Sequence, residues 1–414
     1  MKRTVLHCDF NNFFASVACR DNPSLKDKPV AVCGSVEERH GIVLAKNELA
    51  KSFGIKTGET VFKAESKCRN LVTVKPDFKR YVYFSKEARK IYTKYTDLVE
   101  AFSIDENWLD VTESERLFGN GREIADRIRA EIRNELGLTV SVGVSFNKIF
   151  AKLASDLKKP DATTEISEEN FKQIVWKLPS SAMIGVGPHT DKKLHSLGLF
   201  TVGDIALANP EVLNAKLHKN GVMLWNYANG RDDSPVAHKD YKECPKSIGR
   251  SVTCKRDITT PSELHEVFLF LSEDISHSLR KWGLSATGVQ ISLKSPELVT
   301  DNLQCSLRKP TFLTSEIEKA GMDLFRSNGG FKTPVRAAGI RVFGLTDNSA
   351  FQIAVFDNID KMQKLEKIEM SVDSIRNRFG KSSICRASLL GKQQSDSKKN
   401  DILPQTAFKS KDLF

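Results

Sequence analysis

No run of apolar residues in this chain approaches the roughly 20 needed to span a bilayer, which argues against a membrane protein. Met1-Lys2-Arg3-Thr4 leads straight into a strand-like segment, without the apolar core of a secretory signal. Closely paired cysteines are missing as well. The eight cysteines, at 8, 19, 33, 68, 244, 254, 305 and 385, form no CxxC pair, against both a structural zinc and a disulfide framework. Reduced thiols and a cytoplasmic location are the expectation. Nor is there an acidic excess: 63 Lys and Arg outnumber 52 Asp and Glu, for a net charge of +11. The basic residues are spread along the chain, which suits a long groove for a polyanion, although a merely basic surface has the same composition. The 414 residues, 40% apolar and 28% charged, are those of a globular protein of two to four domains.

What is present centres on Phe102-Ser103-Ile104-Asp105-Glu106-Asn107-Trp108-Leu109-Asp110-Val111. Two adjacent carboxylates stand between short apolar runs. Within one continuous strand they would point to opposite faces, whereas at the tip of a tight hairpin both reach one site. A polar turn whose Asp bonds its own backbone is the other reading. A third acid is available at the end of Thr4-Val5-Leu6-His7-Cys8-Asp9-Phe10, which reads as a buried strand. Phe13–Cys19 follows as a helix, with Asn11 or Asn12 placed to cap it.

Short strands at Lys28–Gly34 and Gly41–Ala45 and a helix over Asn47–Phe53 form a small irregular module. Helical character returns in Tyr81–Thr96, before the acidic hairpin. Beyond it, Ile124, Ile128, Ile132 and Leu136 make a helical stripe stopped by Gly137. Leu138–Val144 alternates as a strand and Asn147–Leu157 is helical. This order is that of a split βαβ domain, with helices covering one face of an antiparallel-rich sheet. Such a sheet brings Asp9 beside Asp105 and Glu106, with the Phe10 carbonyl as a fourth ligand. An all-oxygen set, joined by no His or Cys, fits two Mg²⁺ ions about 3.5–4 Å apart and a phosphoryl or nucleotidyl transfer.

Three stretches carry a resemblance. Asp9-Phe10-Asn11-Asn12-Phe13-Phe14-Ala15-Ser16-Val17, Ser103-Ile104-Asp105-Glu106 with Leu109-Asp110, and Asn147-Lys148-Ile149-Phe150-Ala151-Lys152 with Lys159-Pro160 resemble the signatures of Y-family DNA polymerases. The match is to the DNA polymerase IV branch and covers roughly residues 1–345 in order. It implies an α+β multidomain right hand: a ferredoxin-like palm (1–10 and 78–165), small fingers (11–77), a helical helix-hairpin-helix thumb (166–231), a linker (232–245), an α+β little finger (246–345) and a tail (346–414). It implies that Asp9, Asp105, Glu106 and the Phe10 carbonyl hold the metals, Asp105 and Glu106 being catalytic. Phe14 is then the steric gate against a ribose 2′-OH. The Asn12 and Phe13 amides, Phe14, Lys51 and Lys159 grip the incoming dNTP, and Ile42 and Leu44 roof the nascent base pair. The chain departs from the family at Asn47-Glu48-Leu49-Ala50-Lys51, where many members have Asn-Tyr-Glu-Ala-Arg. Glu48 offers no hydroxyl to a phosphate, and Lys51 is a point charge where arginine is a fork.

Further along, Ile184-Gly185-Val186-Gly187 before the helical Thr190–Leu197 is similar to a helix-hairpin-helix, with Gly185 and Gly187 letting amides approach a DNA phosphate. An ordinary helix-capping turn has the same sequence, and Pro188 removes one amide. Residues 232–245 are polar with two prolines. A strand at 246–252, a helix Pro261–Trp282, strands at 285–295 and 302–309, a helix Thr314–Ser327 and a strand Val335–Phe343 make the second α+β unit. Lys246, Arg250, Lys255 and Arg256 are its candidate DNA-backbone contacts. Gln352-Ile353-Ala354-Val355-Phe356 is similar to the bacterial sliding-clamp pentapeptide, with Gln352, Ile353, Val355 and Phe356 as contacts. Lys361–Phe379 is charged and helical, and Gln393–Lys399 polar and disordered.

The expectation is a low-fidelity, template-directed translesion DNA polymerase, monomeric, acting on primer-template DNA with dNTPs and Mg²⁺. No second acidic cluster suggests a proofreading exonuclease. A non-catalytic DNA- and clamp-binding protein of the same fold, a two-metal nuclease and a polymerase dependent on a cleaved partner are the rivals.

Overall fold

The computed structural model describes residues 3–37, 39, 41–347, 359–380 and 383–389. Every residue of the first strand, β1 (Val5–Phe10), is buried, as an apolar run flanked on both sides requires. Helix α1 (Phe13–Asp21) follows. Asn12 stands at its N-cap in the left-handed region (φ 50°, ψ 41°) and makes no capping bond, so the expected asparagine cap does not form. Asparagine tolerates that conformation, and its side chain is engaged elsewhere.

The next module holds strands β2 (Val30–Cys33) and β3 (Val43–Lys46), helices α2 (Glu48–Ser52) and α3 (Val61–Lys67) and strand β4 (Val72–Val74). They form a three-stranded sheet, ordered β3-β2-β4, over a small core of Ala31, Cys33, Val43, Ala50, Ile55, Val61 and Ala64. Helix α3 and strand β4 have no counterpart in the sequence reading. Their three to seven residues are too short to show a period.

Helix α4 runs over Phe78–Tyr92, earlier at both ends than expected, because the Asp77 side chain accepts from Arg80 N and caps it. Strands β5 (Val99–Ala101) and β6 (Glu106–Asp110) form the acidic hairpin, followed by the short α5 (Glu115–Phe118) and by α6 (Gly121–Glu131). An Asn120–Glu123 capping box opens α6, and Ile132–Leu136 continues it as a π turn up to the left-handed Gly137. Strand β7 (Val140–Ser145), helix α7 (Lys148–Leu157) and strand β8 (Thr163–Ile166) complete a sheet ordered β5-β6-β1-β7-β8. β1 is antiparallel to both neighbours.

Alternation along β1 divides the work of the two faces. Leu6, Cys8 and Phe10 join Phe84, Ala88 and Ile91 of α4 and Ile124 and Ile128 of α6 in one core. Val5 packs with Trp108 and Ala151 on the other side, where α7 lies. The expectation of helices on one face is therefore corrected: α7 covers the second. Its seat is made by Gly143, where a Cβ would stand 1.9 Å from the Ala151 carbonyl oxygen and 2.5 Å from Ser155 N. Helices α8 (Phe171–Val175), α9 (Pro188–His195), α10 (Val202–Leu207), α11 (Pro210–Leu217) and α12 (Lys219–Ala228) follow, around a core that includes Phe150, Leu194, Ile205 and Leu224. The irregular 232–245 stretch is tied down in its first half. Val236 is buried, Ala237 N donates to Glu100 at 2.9 Å, and Lys239 pairs with Asp97 at 2.6 Å.

Contacts divide the described residues into two compact units, one of residues up to Gly34 with Ile42–Tyr241, the other of Ser35–Gly41 with those from Lys242 onward. The second carries an antiparallel sheet ordered β11-β10-β12-β9, from β9 (Ser247–Ile258), β10 (Leu284–Lys294), β11 (Thr300–Thr311) and β12 (Val335–Asp347). Helices α13 (Pro261–Trp282) and α14 (Thr314–Ser327), with the limits the sequence suggests, share its core. Helix α15 (Ile359–Phe379) is attached by ion pairs and by Leu365, which packs against that core. Arg280 pairs with Asp373 at 2.6 Å and with Glu369, Arg376 pairs with Glu273 at 3.1 Å, and the Thr314 amide donates to Glu369 at 3.0 Å. Ile368, Ile375 and Phe379 of the same helix are exposed.

Gly143→Ala is expected to cost at least about 2 kcal/mol in urea unfolding, through overpacking against the α7 backbone. Gly187→Ala, where a Cβ meets nothing within 4 Å, is the control and should cost under about 1 kcal/mol.

Candidate active site

The register of the central sheet sets the site. Asp9 of β1 lies directly opposite Glu106 of β6. The β5–β6 turn is closed on the Glu106 carbonyl by the amides of Phe102 (3.0 Å) and Ser103 (3.2 Å). The Phe10 amide donates to the Asp105 carbonyl at 3.2 Å, fastening the end of β1 to the turn. Ser103 is the side chain that bonds the turn backbone most fully, although the Asp105 carboxylate also interacts with its own backbone amide. Ser103 Oγ accepts from the Glu106 amide at 3.1 Å and is 2.6 Å from Asp105 Oδ1 and 3.1 Å from Glu106 Oε2. One hydroxyl proton thus serves two carboxylates, leaving both acids at the hairpin tip.

The crowding has an electrostatic signature. Burial raises the Asp9 carboxyl to about 7, with Lys159 opposing the rise and Glu106 and Asp105 adding to it. Asp105 is also raised, first by burial, with the Ser103 hydrogen bond opposing and Glu106 adding. Lysines answer this charge. Lys159 Nζ lies 2.7 Å from Asp9 Oδ2 and 2.7 Å from Asp156 Oδ1, while Lys152 of α7 pairs with Glu106. Burial pulls Lys159 down, but Asp9 and Asp156 more than offset that and its pKa is raised.

One member of the cluster was not foreseen. His7 is fully buried, and its ligand nitrogen lies with an oxygen of Asp9 and of Glu106 inside 4.8 Å of one another. A nitrogen therefore joins what the sequence presented as an all-oxygen set. The Ser155 hydroxyl donates to the Lys152 carbonyl at 2.7 Å, so His7 Nδ1, 2.8 Å from Ser155 Oγ, must be the donor of that pair. Nε2 then presents its lone pair 3.8 Å from Glu106 Oε1, without a hydrogen-bond partner. Burial, with Lys152 and Lys159 adding to it, keeps the ring neutral. The signal was available: His7 and Asp9 are two apart on a strand and share a face. Asp105 is absent from that tight trio, held by Ser103. Crowded carboxylates beside an unpartnered buried nitrogen suit a divalent cation.

The other expected residues divide. Phe14 is half-buried and stacks on Tyr81 at 4.0 Å with planes 7° apart, while Phe13 stacks on Phe10 at 4.8 Å. Asn12 Nδ2 donates to Glu48 Oε1 at 2.9 Å, and Lys51 Nζ lies 3.5 Å from Glu48 Oε2. Ile42 is exposed and bridges Thr60, and Leu44 lies on β3. Gly185 takes a positive φ of 89° and Gly187 is the N-cap of α9, but the Val186 amide between them is committed to the Met183 carbonyl at 3.1 Å. Lys246 precedes β9 and is within 3.8 Å of Glu243, and Lys255 is half-exposed on that edge strand. Arg250 donates to Ser278 Oγ at 3.0 Å and Arg256 pairs with Glu263 at 2.6 Å, so neither points simply to solvent. The pentapeptide Gln352-Ile353-Ala354-Val355-Phe356 lies outside the described residues.

The chain matches the model of the impB/mucB/samB family over residues 8–156 and that of its C-terminal domain over 245–355. Its fold is similar to that of a chimeric Y-family DNA polymerase, with a TM-score of 0.73 and 27% identity, covering 83% of this chain and all of that one. A DNA polymerase IV of Acetivibrio thermocellus is 50% identical over 391 residues, 94% of this chain and 98% of its own. One from Alkaliphilus oremlandii is 38% identical, covering 94% and 100%, and a DNA polymerase IV 2 of Bacillus subtilis 35%, covering 94% and 95%. Fold and site together define a Y-family DNA polymerase. The chain belongs to that family, in its DNA polymerase IV branch.

A raised Asp9 pKa stabilises the metal-free fold fully below the ordinary carboxylate range, and that contribution is lost as pH climbs through about 7. Between pH 5 and 8 the metal-free protein is therefore expected to lose on the order of 5 °C in Tm relative to Asp9→Asn. Added Mg²⁺ at pH 8 should restore Tm in the wild type only. Differential scanning fluorimetry with and without chelator reads both effects.

Proposed function

We propose that this protein is a template-directed, low-fidelity DNA polymerase for translesion synthesis, joining a dNTP to a primer 3′-OH with no proofreading step. The observation that carries the reading is the pairing of Asp9 with Glu106 at the end of the acidic hairpin, in a chain half identical to a DNA polymerase IV. The sheet built on β1 would be the palm, the β2–β4 module the fingers, α8–α12 the thumb and β9–β12 with α13 and α14 the little finger. No helix among the described residues is long and apolar enough to cross a membrane, and we place the protein in the cytoplasm as a monomer.

Asp9, Asp105, Glu106 and the Phe10 carbonyl would hold two Mg²⁺ ions, which supply charge stabilisation at the attacking and leaving oxygens of the transfer. The protein's own part is largely positioning. Ser103 keeps both hairpin carboxylates at the tip, and Lys152 and Lys159 hold compensating charge beside them. Lys159, now shared between Asp9 and Asp156, would serve the grip on the triphosphate. The Asn12 and Phe13 amides and Lys51 contribute to the same grip. Phe14, braced flat against Tyr81, is a rigid wall suited to exclude a 2′-OH. Ile42 and Leu44 would roof the base pair. Gly185, Gly187, Lys246, Arg250, Lys255 and Arg256 would meet the DNA backbone, the two arginines by exchanging their present partners. Gln352, Ile353, Val355 and Phe356 would tether the enzyme to the bacterial sliding clamp.

Primer extension tests the reading. Asp105→Ala with Glu106→Ala should lower extension by more than about a thousandfold while DNA binding persists. Activity surviving that change would sink it, and DNA binding without incorporation by the wild type would favour an accessory protein. Phe14→Ala should raise ribonucleotide incorporation by about tenfold or more, measured as the rNTP to dNTP ratio of kcat/KM.

A further inference from the structure

The fingers module contains an acid in a place made for phosphate. Asn47 fixes that corner: its Oδ1 accepts from the amides of Ala50 (2.9 Å) and Val30 (3.0 Å), and its Nδ2 donates to the Lys28 carbonyl at 2.7 Å. Three bonds from one side chain lock β2, the end of β3 and the start of α2 together, so Glu48, the first residue of α2, is presented from a rigid base. From there it reaches the start of α1. Glu48 Oε1 accepts from Asn12 Nδ2 at 2.9 Å, and Oε2 lies 3.5 Å from Lys51 Nζ. Asn12 sits in a left-handed conformation with its amide engaged by nothing but Glu48 among the described contacts. A second ammonium is close by. Lys46, at the end of β3, is lowered by burial and by the charge of Lys51. Lys46 is itself bonded to Thr57 Oγ1 at 3.2 Å, so the groups that meet the Glu48 carboxylate directly are one lysine and one amide donor.

We propose that Glu48 is the displaceable counter-ion of the triphosphate pocket, holding Asn12 and Lys51 until the terminal phosphates of the nucleotide take its place. This rests on the reading that Asn12 and Lys51 grip the triphosphate. The carboxylate pre-orders both groups, and it stays nearby when displaced, so it opposes the nucleotide in proportion to the phosphate charge. Tyrosine at this position can only donate to a phosphate. Glutamate makes affinity depend on how many phosphates arrive to evict it. The pocket would therefore bind dNTP weakly, with a larger penalty for dNTP than for dNDP, and the effect would reside in binding rather than in chemistry.

Glu48→Gln keeps size and the acceptor for Asn12 and removes only the charge. KM for dNTP, Ki for dNDP and kcat are measured in primer extension for wild type, Glu48→Gln and Glu48→Asp. The expected result for Glu48→Gln is a KM about fivefold lower for dNTP, a Ki about twofold lower for dNDP, and a kcat within about twofold. Glu48→Asp should keep the wild-type KM within about twofold. An unchanged or raised KM in Glu48→Gln, or equal gains for dNTP and dNDP, overturns the proposal. Lys51→Met separates the two levels. If it raises KM while Glu48→Gln changes nothing, the pocket is placed correctly and the counter-ion role fails. If Lys51→Met leaves KM unchanged, the triphosphate is held elsewhere and both fail.

Discussion

Concentrated negative charge, held largely out of water at the edge of one sheet, is the constraint on which the rest of the catalytic unit depends. Asp9 and Glu106 are neighbours because their strands pair, and Asp105 stands beside them because the turn is closed on Glu106. Like charges this close raise one another's pKa and cost stability unless something compensates. The fold compensates with lysines from a single element and its exit: Lys152 on α7 and Lys159 just beyond it. That in turn requires α7 to lie close on the sheet, and Gly143 is what lets its backbone approach. The acidic cluster, the lysines and a bare glycine opposite His7 are thus one arrangement, not three features.

The same economy governs the periphery of the site. Phe14 is held in place by stacking on Tyr81, which belongs to α4 and is itself buried. Lys148, at the start of α7, is paired with Glu100 at 2.7 Å and lies 4.5 Å over the Trp108 ring. It orients the strap at 235–237 through the same glutamate. Residues outside the acidic cluster therefore help fix the elements that carry it.

Much of this was legible in the chain. β1 showed as a continuous apolar run, α13 and α14 as long periodic segments with clean caps, and the acidic trio through its motifs. What was not legible has physical reasons. Strand alternation would have linked His7 to Asp9, but a buried histidine in an apolar run reads as packing until the facing helix is known. The second-face position of α7 turns on one glycine. The cap expected of Asn12 was lost to Glu48, thirty-six residues away, a competition that local propensity cannot register. Ser103 was quoted within a motif, yet its role as the bond that shapes the turn follows only from three dimensions.

Helix α15 carries a different lesson. Its inward face combines Glu369, Asp373 and Arg376, matched by Arg280, Glu273 and Arg386, with Leu365 packed against the core, while part of its apolar surface is left outside. Ion pairs taken out of water return little net stability but discriminate severely between right and wrong partners. The helix is thus held with exact register and modest strength. Losing any one charge would strand its partner in a largely dry interface. A segment joined in that manner covers a patch of fixed charges on α13, together with the small apolar area under Leu365.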